Sequence, residues 1–382
     1  MAHVNGYCDP KFEKVRNLLA RNLASGAELG AAICVNIKGE NVVDLWGGAT
    51  NESRSNQWQE NTIVNVWSVS KAITCLSALM VVDRGLLDVH EKVSKYWPEF
   101  AENGKEDVEV RHLLSHTSGV SGWEQPITFS DVFDRDRSTA KLATQAPWFQ
   151  PGTVSGYHAM TMGHLVGELI RRTTGKSLKE FIEEEIAGPL GADFQLGARE
   201  EDWPRISALI PPSQLNTSFN LTDKDSVAYR TLMGPIPNAQ IALTDGWRRA
   251  EIGAANGHGN ARAIARILAM VSLGGEVDGV RFLSPGTIDL IFQEQCDGID
   301  LVLGIPLQFG IGYALPKRDT VPWIPEGRKC FWGGWGGSIA IMDLDNAMTI
   351  SYTMNKMADK TLGNANTAQY VQAIYEIVEG GL

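Results

Sequence analysis

No cluster of lysine and arginine occurs anywhere in this 382-residue sequence, whose formal net charge is −11. A nucleic-acid binder needs cations to displace phosphate counterions, so the sequence argues against that class and, for the same reason, against docking on an anionic membrane surface. The cysteines are few: Cys8, Cys34, Cys75, Cys296 and Cys330. They are odd in number, widely spaced and form no CxxC, which argues against a disulfide framework or a zinc ribbon and for reduced, buried thiols. No long hydrophobic run is present. The most apolar stretch, Ala72–Val82, is far too short to span a bilayer. The first residues, MAHVNGYCDPKFEKV, contain no apolar core of a signal peptide. A soluble cytoplasmic protein is the expectation, with the sequons at Asn51, Asn216 and Asn220 read as chance matches.

Familiar catalytic motifs are missing as well. There is no GxSxG, so a nucleophile elbow is unsupported. His112 and His116 sit four apart without the glutamate of HExxH and without a third ligand, and are read as turn histidines bonded to backbone. Thr174-Gly175-Lys176-Ser177 resembles the end of a phosphate-binding loop, but Ile170 replaces the earlier glycine and a helix precedes it. Gly257-His258-Gly259 begins a GxGxxG and fails at Arg262. No metal or cofactor is expected. No repeat, heptad run or strict βαβ alternation occurs.

The material for a core is ample, since 43% of the residues are apolar. At about 100–200 residues per domain, the length fits two domains or one composite one. Pro10–Ala24 reads as an amphipathic helix. Ala31–Ile37 and Val42–Trp46, joined by Lys38-Gly39-Glu40-Asn41, read as a hairpin. Ser338–Asp343 and Ala347–Met354 form a second pair around Leu344-Asp345-Asn346, and a helix closes the chain at Thr367–Val378. The middle is helical, with helices predicted at Ser70–Arg84, Met160–Thr173, Ser177–Ile186 and Asn260–Leu273. Strands at both ends and helices between predict an α/β (α+β) fold, an antiparallel sheet with a helical insertion.

One motif carries chemistry. Ser68-Val69-Ser70-Lys71 is a Ser-x-x-Lys at the start of an apolar helix. That spacing puts serine and lysine on one helical face. If burial disfavours the charged amine, lysine can act as a base toward the hydroxyl. Alone, the tetrapeptide is an ordinary helix start.

Its context is more specific. Downstream come Leu113-Leu114-Ser115-His116-Thr117-Ser118-Gly119, then Pro151-Gly152, then Ser155-Gly156-Tyr157-His158-Ala159. Near the C-terminus is Trp332-Gly333-Gly334-Trp335-Gly336-Gly337-Ser338. In this order the chain, from about Phe12 to its last helix, resembles the serine β-lactamase and penicillin-binding-protein superfamily. It resembles most the class C β-lactamase-like branch and its family VIII carboxylesterases. The resemblance implies a serine β-lactamase/DD-peptidase-like fold. Residues 1–75 and 235–382 would make a discontinuous α/β sheet domain and 76–234 a mostly helical one, with the active site at their junction.

Carried over by position, Ser68 corresponds to the nucleophile, Lys71 to the base and Tyr157 to the proton-shuttling tyrosine. The backbone N–H groups of Ser68 and Trp335 correspond to the oxyanion hole. Trp332, Gly333 and Gly334 fall where β-lactamases carry Lys-Thr-Gly. Trp332 thereby removes a cation for an anionic substrate, and Ala159 replaces the asparagine of Tyr-x-Asn. His158 could supply a replacement polar contact, and His116 would buttress the site loop. Trp123, Trp148, Phe149, Trp332 and Trp335 suggest an apolar substrate pocket. The resemblance thus implies a serine hydrolase of small-molecule carboxylic esters, working through an acyl-enzyme on Ser68. The alternatives are an acyltransferase passing the acyl group to an alcohol or amine, a β-lactamase or peptidase, and a non-catalytic scaffold.

Overall fold

The computed structural model describes residues 2–212, 221–235 and 238–380; the sequons at Asn216 and Asn220 lie outside them. Strand-forming segments from both ends of the chain meet in one nine-stranded sheet. Its strands are β1 (Val4–Cys8), β2 (Gly30–Ile37), β3 (Glu40–Gly48), β4 (Cys296–Ile299), β5 (Pro306–Phe309), β6 (Ala314–Leu315), β7 (Lys329–Gly333), β8 (Ile339–Asp343) and β9 (Met348–Met354). They lie in the order β1-β3-β2-β9-β8-β7-β6-β5-β4, every neighbouring pair antiparallel.

The four central strands are buried almost throughout, so they read as apolar runs rather than alternating ones. Helices α1 (Glu13–Ser25) and α5 (Ala365–Glu379) pack together beside the sheet. Helices α2 (Val69–Asp83) and α4 (Ala261–Ser272) also pack on it. Between them runs the helical middle, where α3 (Thr161–Thr174) packs against α2. Asn260 caps α4 and Asn364 caps α5, each accepting a backbone N–H from the third helical residue.

Both hairpins predicted from the sequence form. The first turn is tighter than the spacing suggests: Lys38 and Gly39 alone connect Ile37 to Glu40, both with positive φ (54° and 91°). The helix predicted over 177–186 forms and runs past its expected end: it is regular over Leu178–Ile182, widens into a π turn over Glu183–Ala187 and closes with an α turn over Gly188–Leu190. Pro189 has no N–H to donate and its ring crowds the preceding turn, a strain that the wider π turn accommodates. Strands β1, β4, β5 and β6 go beyond the sequence pattern, being short and lying at or near the sheet edges.

The failed motifs acquire structural explanations. Gly175 ends α3 at φ 77°, and Ser177 caps the next helix with Glu180 in a capping box. Gly257–Gly259 is the middle strand of a three-stranded sheet, where a Cβ on Gly257 would fall 2.6 Å from the Phe194 ring. All five thiols are free; Cys34, Cys75 and Cys330 are buried, whereas Cys8 and Cys296 are partly exposed. No described helix is long and apolar enough to cross a membrane.

Candidate active site

Helix α2 is apolar on nearly every face, and all but its last two residues are buried. Such a helix belongs in the interior, so its N-terminus is a fixed point of the molecule. Ser68 occupies the N-cap position, yet its side chain makes no capping bond. The hydroxyl is therefore left for other partners. The preceding residue, Trp67, has φ 47°, a backbone conformation that costs a non-glycine residue about 1–3 kcal/mol. It is held by ring contacts to Trp247 (5.4 Å) and Trp335 (5.1 Å).

Three predicted residues converge on one oxygen. Tyr157 donates its O–H to Ser68 Oγ at 2.7 Å, and Lys71 Nζ lies 3.0 Å from the same atom. Nζ also donates to the carbonyls of Ala159 and Ala254, each at 2.8 Å. The Ala254 carbonyl is delivered by a loop that Asn256 pins. Asn256 Nδ2 donates to the carbonyls of Trp247 and Ala250, and its Oδ1 accepts from Ile252 N. Gly163 of α3 sits so close to this loop that a Cβ would fall 2.2 Å from Ala254 N. No residue pattern marks a backbone carbonyl as an amine acceptor, so sequence reasoning missed this cradle.

The cradle bears on protonation. Burial, with no carboxylate bonded to Nζ among the described residues, pushes the Lys71 amine well below its ordinary range. In its neutral form the amine would have two N–H donors for the two carbonyls and one lone pair for the Ser68 O–H. Burial pushes Tyr157 the opposite way, so its phenol stays protonated at rest. In that form a chain would run from Tyr157 O–H to Ser68 O–H to the Lys71 lone pair.

The opposite wall is the turn after β7. Gly334 stands against the start of α2, where a Cβ would fall 2.3 Å from Val66 O and 3.5 Å from Ser68 N. Only glycine permits that approach. The turn Gly334–Gly337 is closed by Gly337 N donating to Gly334 O at 3.1 Å, and Gly336 and Gly337 have φ of 101° and 135°. Among the described residues, neither the Ser68 N–H nor the Trp335 N–H donates a hydrogen bond. Backbone donors inside a fold are almost always paired, so two free ones beside a poised hydroxyl mark a place for an acceptor.

The remaining predicted residues are distributed unevenly. Trp332 is buried in a cage with Tyr157 (5.2 Å), Phe309 (5.4 Å) and His116 (5.9 Å). A Cβ on Gly333 would meet Thr361 O at 2.7 Å. His158 has no exposed surface. Its Nδ1 faces Gly156 O and its Nε2 faces Ser118 Oγ, both at 2.6 Å, and burial lowers it to about 4. It sits behind Tyr157, not at an opening. His116 lies beside it, its Nδ1 accepting from His158 N at 3.1 Å. Burial also holds His116 well below the usual histidine range.

Trp123 is buried, donating to Ser138 O at 3.2 Å with its ring edge-on to His164. Trp148 is half-buried, donating to Glu124 Oε1 at 2.6 Å beneath the Arg230 guanidinium. Among the described residues, no hydrogen bond or ring contact joins either tryptophan to Ser68, Lys71 or Tyr157. The described residues also contain no group of three or more His, Cys, Asp or Glu able to hold a metal ion.

Known proteins share this arrangement of chain. The family model described as Beta-lactamase matches residues 15–373. An esterase/beta-lactamase of Mycobacterium tuberculosis, LipL, is 32% identical over 365 residues, covering 93% of this chain and 83% of its own. The crystal structure of a family VIII carboxylesterase superposes with a TM-score of 0.92 at 35% identity, covering 98% of this chain and all of the other. A penicillin-binding-protein homologue from Caulobacter crescentus gives the same TM-score at 33% identity and the same coverage.

Proposed function

The chain belongs to the beta-lactamase family, and from that premise we propose that it is a serine carboxylesterase acting on neutral small-molecule esters through an acyl-enzyme on Ser68. Its fold is the β-lactamase and penicillin-binding-protein fold. The observation that carries the proposal is the position of Ser68 Oγ, 3.0 Å from the Lys71 amine and 2.7 Å from the Tyr157 hydroxyl.

The steps follow from the proton pattern. Ser68 Oγ attacks the ester carbonyl carbon as its proton passes to Lys71 Nζ. The carbonyl oxygen becomes an oxyanion and accepts from the Ser68 and Trp335 N–H groups, each such donor contributing about 10²–10³ in rate. The tetrahedral intermediate collapses, the ester C–O bond breaks, and the leaving alkoxide takes the Tyr157 phenolic proton. Lys71 restores that proton to Tyr157. In the second half, Tyr157 passes its phenolic proton to Lys71 Nζ as it takes one from water, and the hydroxide attacks the acyl carbon. Ser68 Oγ then leaves and regains its proton from Lys71.

Two features favour esters over β-lactams. Trp332, an uncharged and buried indole, stands at the position of the family's cation. At Ala159 no side-chain amide is available, and the backbone carbonyl there serves Lys71 instead. Arg135 and Arg328, two cations that could otherwise serve an anionic substrate, are ion-paired to Asp136 and Asp289. An ester needs fewer positioning contacts because its leaving group is better than that of an unstrained amide. A p-nitrophenyl ester panel beside a penicillin, with added alcohols to detect acyl transfer, tests this reading. Ester turnover with release of free acid supports it. Dominant transfer to the alcohol makes the protein an acyltransferase.

A further inference from the structure

The phenol of Tyr157 can serve Ser68 only if its backbone is held, and Tyr157 lies in a segment without regular secondary structure, before α3. Its neighbours are tied on one side by His116. Gly156 N donates to His116 O at 2.9 Å, and His158 N donates to His116 Nδ1 at 3.1 Å. The Tyr157 N–H itself points the other way, to the carboxylate of Asp300 at 3.1 Å.

Asp300 sits at the tip of the hairpin joining β4 to β5, at the far edge of the sheet, and is completely buried. One oxygen, Oδ1, accepts three backbone N–H groups. Two come from its own loop, Val302 and Leu303, both at 2.9 Å, and the third is Tyr157. The loop grips the same segment a second time, as Leu301 N donates to Ser155 O at 2.9 Å. It is closed on itself by Asp300 N to Ile305 O (3.0 Å) and Gly304 N to Asp300 O (2.9 Å). A buried carboxylate is costly; burial raises the Asp300 carboxyl above its ordinary range, and the three convergent N–H donors oppose that shift. The hairpin tip alone would need only the two local donors. The third reaches 143 residues back along the chain, to the residue that touches Ser68.

We infer that Asp300 is a positioning residue, whose Oδ1 fixes the Tyr157 backbone and thereby sets the Tyr157 hydroxyl on Ser68 Oγ. The inference rests on the proposed roles of Ser68 and Tyr157. Asp300 touches no reacting atom and acts through the tyrosine alone. A displacement of about 1 Å in a proton-transfer group can lower a rate by as much as about 10²-fold.

Two substitutions separate the long reach from the local cap. Asp300→Asn retains an oxygen acceptor at the same distance. Asp300→Ser retains a short acceptor that can cap its own turn, but it cannot reach Tyr157 N. Both are made in the full chain and checked by thermal melting. Each is assayed for kcat and KM on a p-nitrophenyl ester and for the rate of Ser68 labelling by a fluorophosphonate. The expected result is a fall of at least about tenfold in kcat for Asp300→Ser, with KM within about twofold and labelling slowed in parallel. Asp300→Asn should stay within about threefold of the parent. Parent-like kcat in Asp300→Ser would overturn the inference, as would equal losses in both variants. A raised KM with unchanged kcat would overturn it too. Should Asp300→Ser not fold, Asp300→Glu is read instead, which keeps a carboxylate but moves its oxygens by one methylene from the Tyr157 N–H; parent-like kcat and parent-like Ser68 labelling in that variant overturn the inference. If the parent protein itself is not labelled at Ser68, the reading of the active site fails, and that failure is distinct from a failure at Asp300.

Discussion

Lys71 and Lys105 are both buried, and their surroundings are alike to a surprising degree. Each amine donates to two backbone carbonyls: Ala159 and Ala254 for Lys71, Glu102 and Gln145 for Lys105. Each lies over one aromatic ring, Tyr157 at 4.8 Å and Phe100 at 5.2 Å. Burial lowers both. Lys105 falls to about 8, with Glu102 and Glu106 opposing the shift, and Lys71 falls well below its ordinary value. The remaining difference is the neighbour. Lys71 faces a serine hydroxyl that a phenol also touches; among the described residues no nucleophilic side chain bonds to Lys105. A depressed lysine is thus not by itself a sign of catalysis. Its meaning comes from the atom its lone pair can reach.

The largest effect that sharpens this contrast is removal of the hydroxyl. Ser68→Ala should lower kcat by at least about 10³-fold with the fold retained, measured by ester hydrolysis and circular dichroism. A variant keeping a tenth of the parent kcat would remove the difference between the two lysines.

Next is the direct exchange. Lys71→Ala should lower kcat by about 10²–10³-fold with little change in KM, and Lys71→Arg should not rescue it, because guanidinium stays protonated. In the proposed mechanism the active amine is neutral, so activity should fall as pH is lowered through the Lys71 pKa and rise to a plateau above it. That pKa lies well below the ordinary lysine value of 10.5. Lys105→Met should leave kcat of the folded protein unchanged. It should cost about 1–3 kcal/mol of stability, because two carbonyls lose their donor. Equal loss of kcat in both would break the comparison.

The chemistry of this contrast was legible in the sequence to an uneven degree. Ser68, Lys71 and Tyr157 stand in short local motifs, and local spacing survives folding. The hairpins and long helices followed from the pattern of apolar residues. The groups that set the protonation state could not be read. The acceptors of the Lys71 amine are carbonyls that any residue could supply. Asn256 and Asp300 carry no distinguishing neighbours, and their partners lie far away or in backbone. Of the aromatic residues, Trp332 lies against the Tyr157 ring and Trp335 against the Trp67 ring, whereas Trp123 and Trp148 are engaged elsewhere, since composition does not tell one wall from another.

Substrate choice comes next in size. Short or medium acyl p-nitrophenyl esters should show kcat/KM at least about 10²-fold above a penicillin or a chromogenic cephalosporin, under about 3 kcal/mol of differential transition-state binding. Comparable β-lactam turnover would show that Trp332 and Ala159 do not set the preference.

The smallest effect concerns a third buried group without chemistry. Glu28 Oε1 accepts from Tyr352 (2.6 Å), Asn366 (3.0 Å) and Tyr370 (3.2 Å), and burial raises Glu28 to about 7. A carboxyl with a raised folded pKa contributes stability below its unfolded value of 4.5, and loses it as pH rises through about 7. Glu28→Gln keeps the acceptor oxygen and cannot ionise. It should raise Tm relative to the parent at alkaline pH and much less at acidic pH, with kcat unchanged at both. An equal shift at the two pH values would mean that Glu28 does not titrate with folding.

The central claim, that Ser68 receives the acyl group because a neutral Lys71 can take its proton, is tested most directly by rapid quench of the enzyme with p-nitrophenyl butyrate, followed by intact mass spectrometry and peptide mapping. The account predicts one acyl group per chain, on the peptide bearing Ser68, forming faster as pH rises and absent from both Ser68→Ala and Lys71→Ala. An acyl group on any other residue, or undiminished acylation of Ser68 in Lys71→Ala, would contradict it.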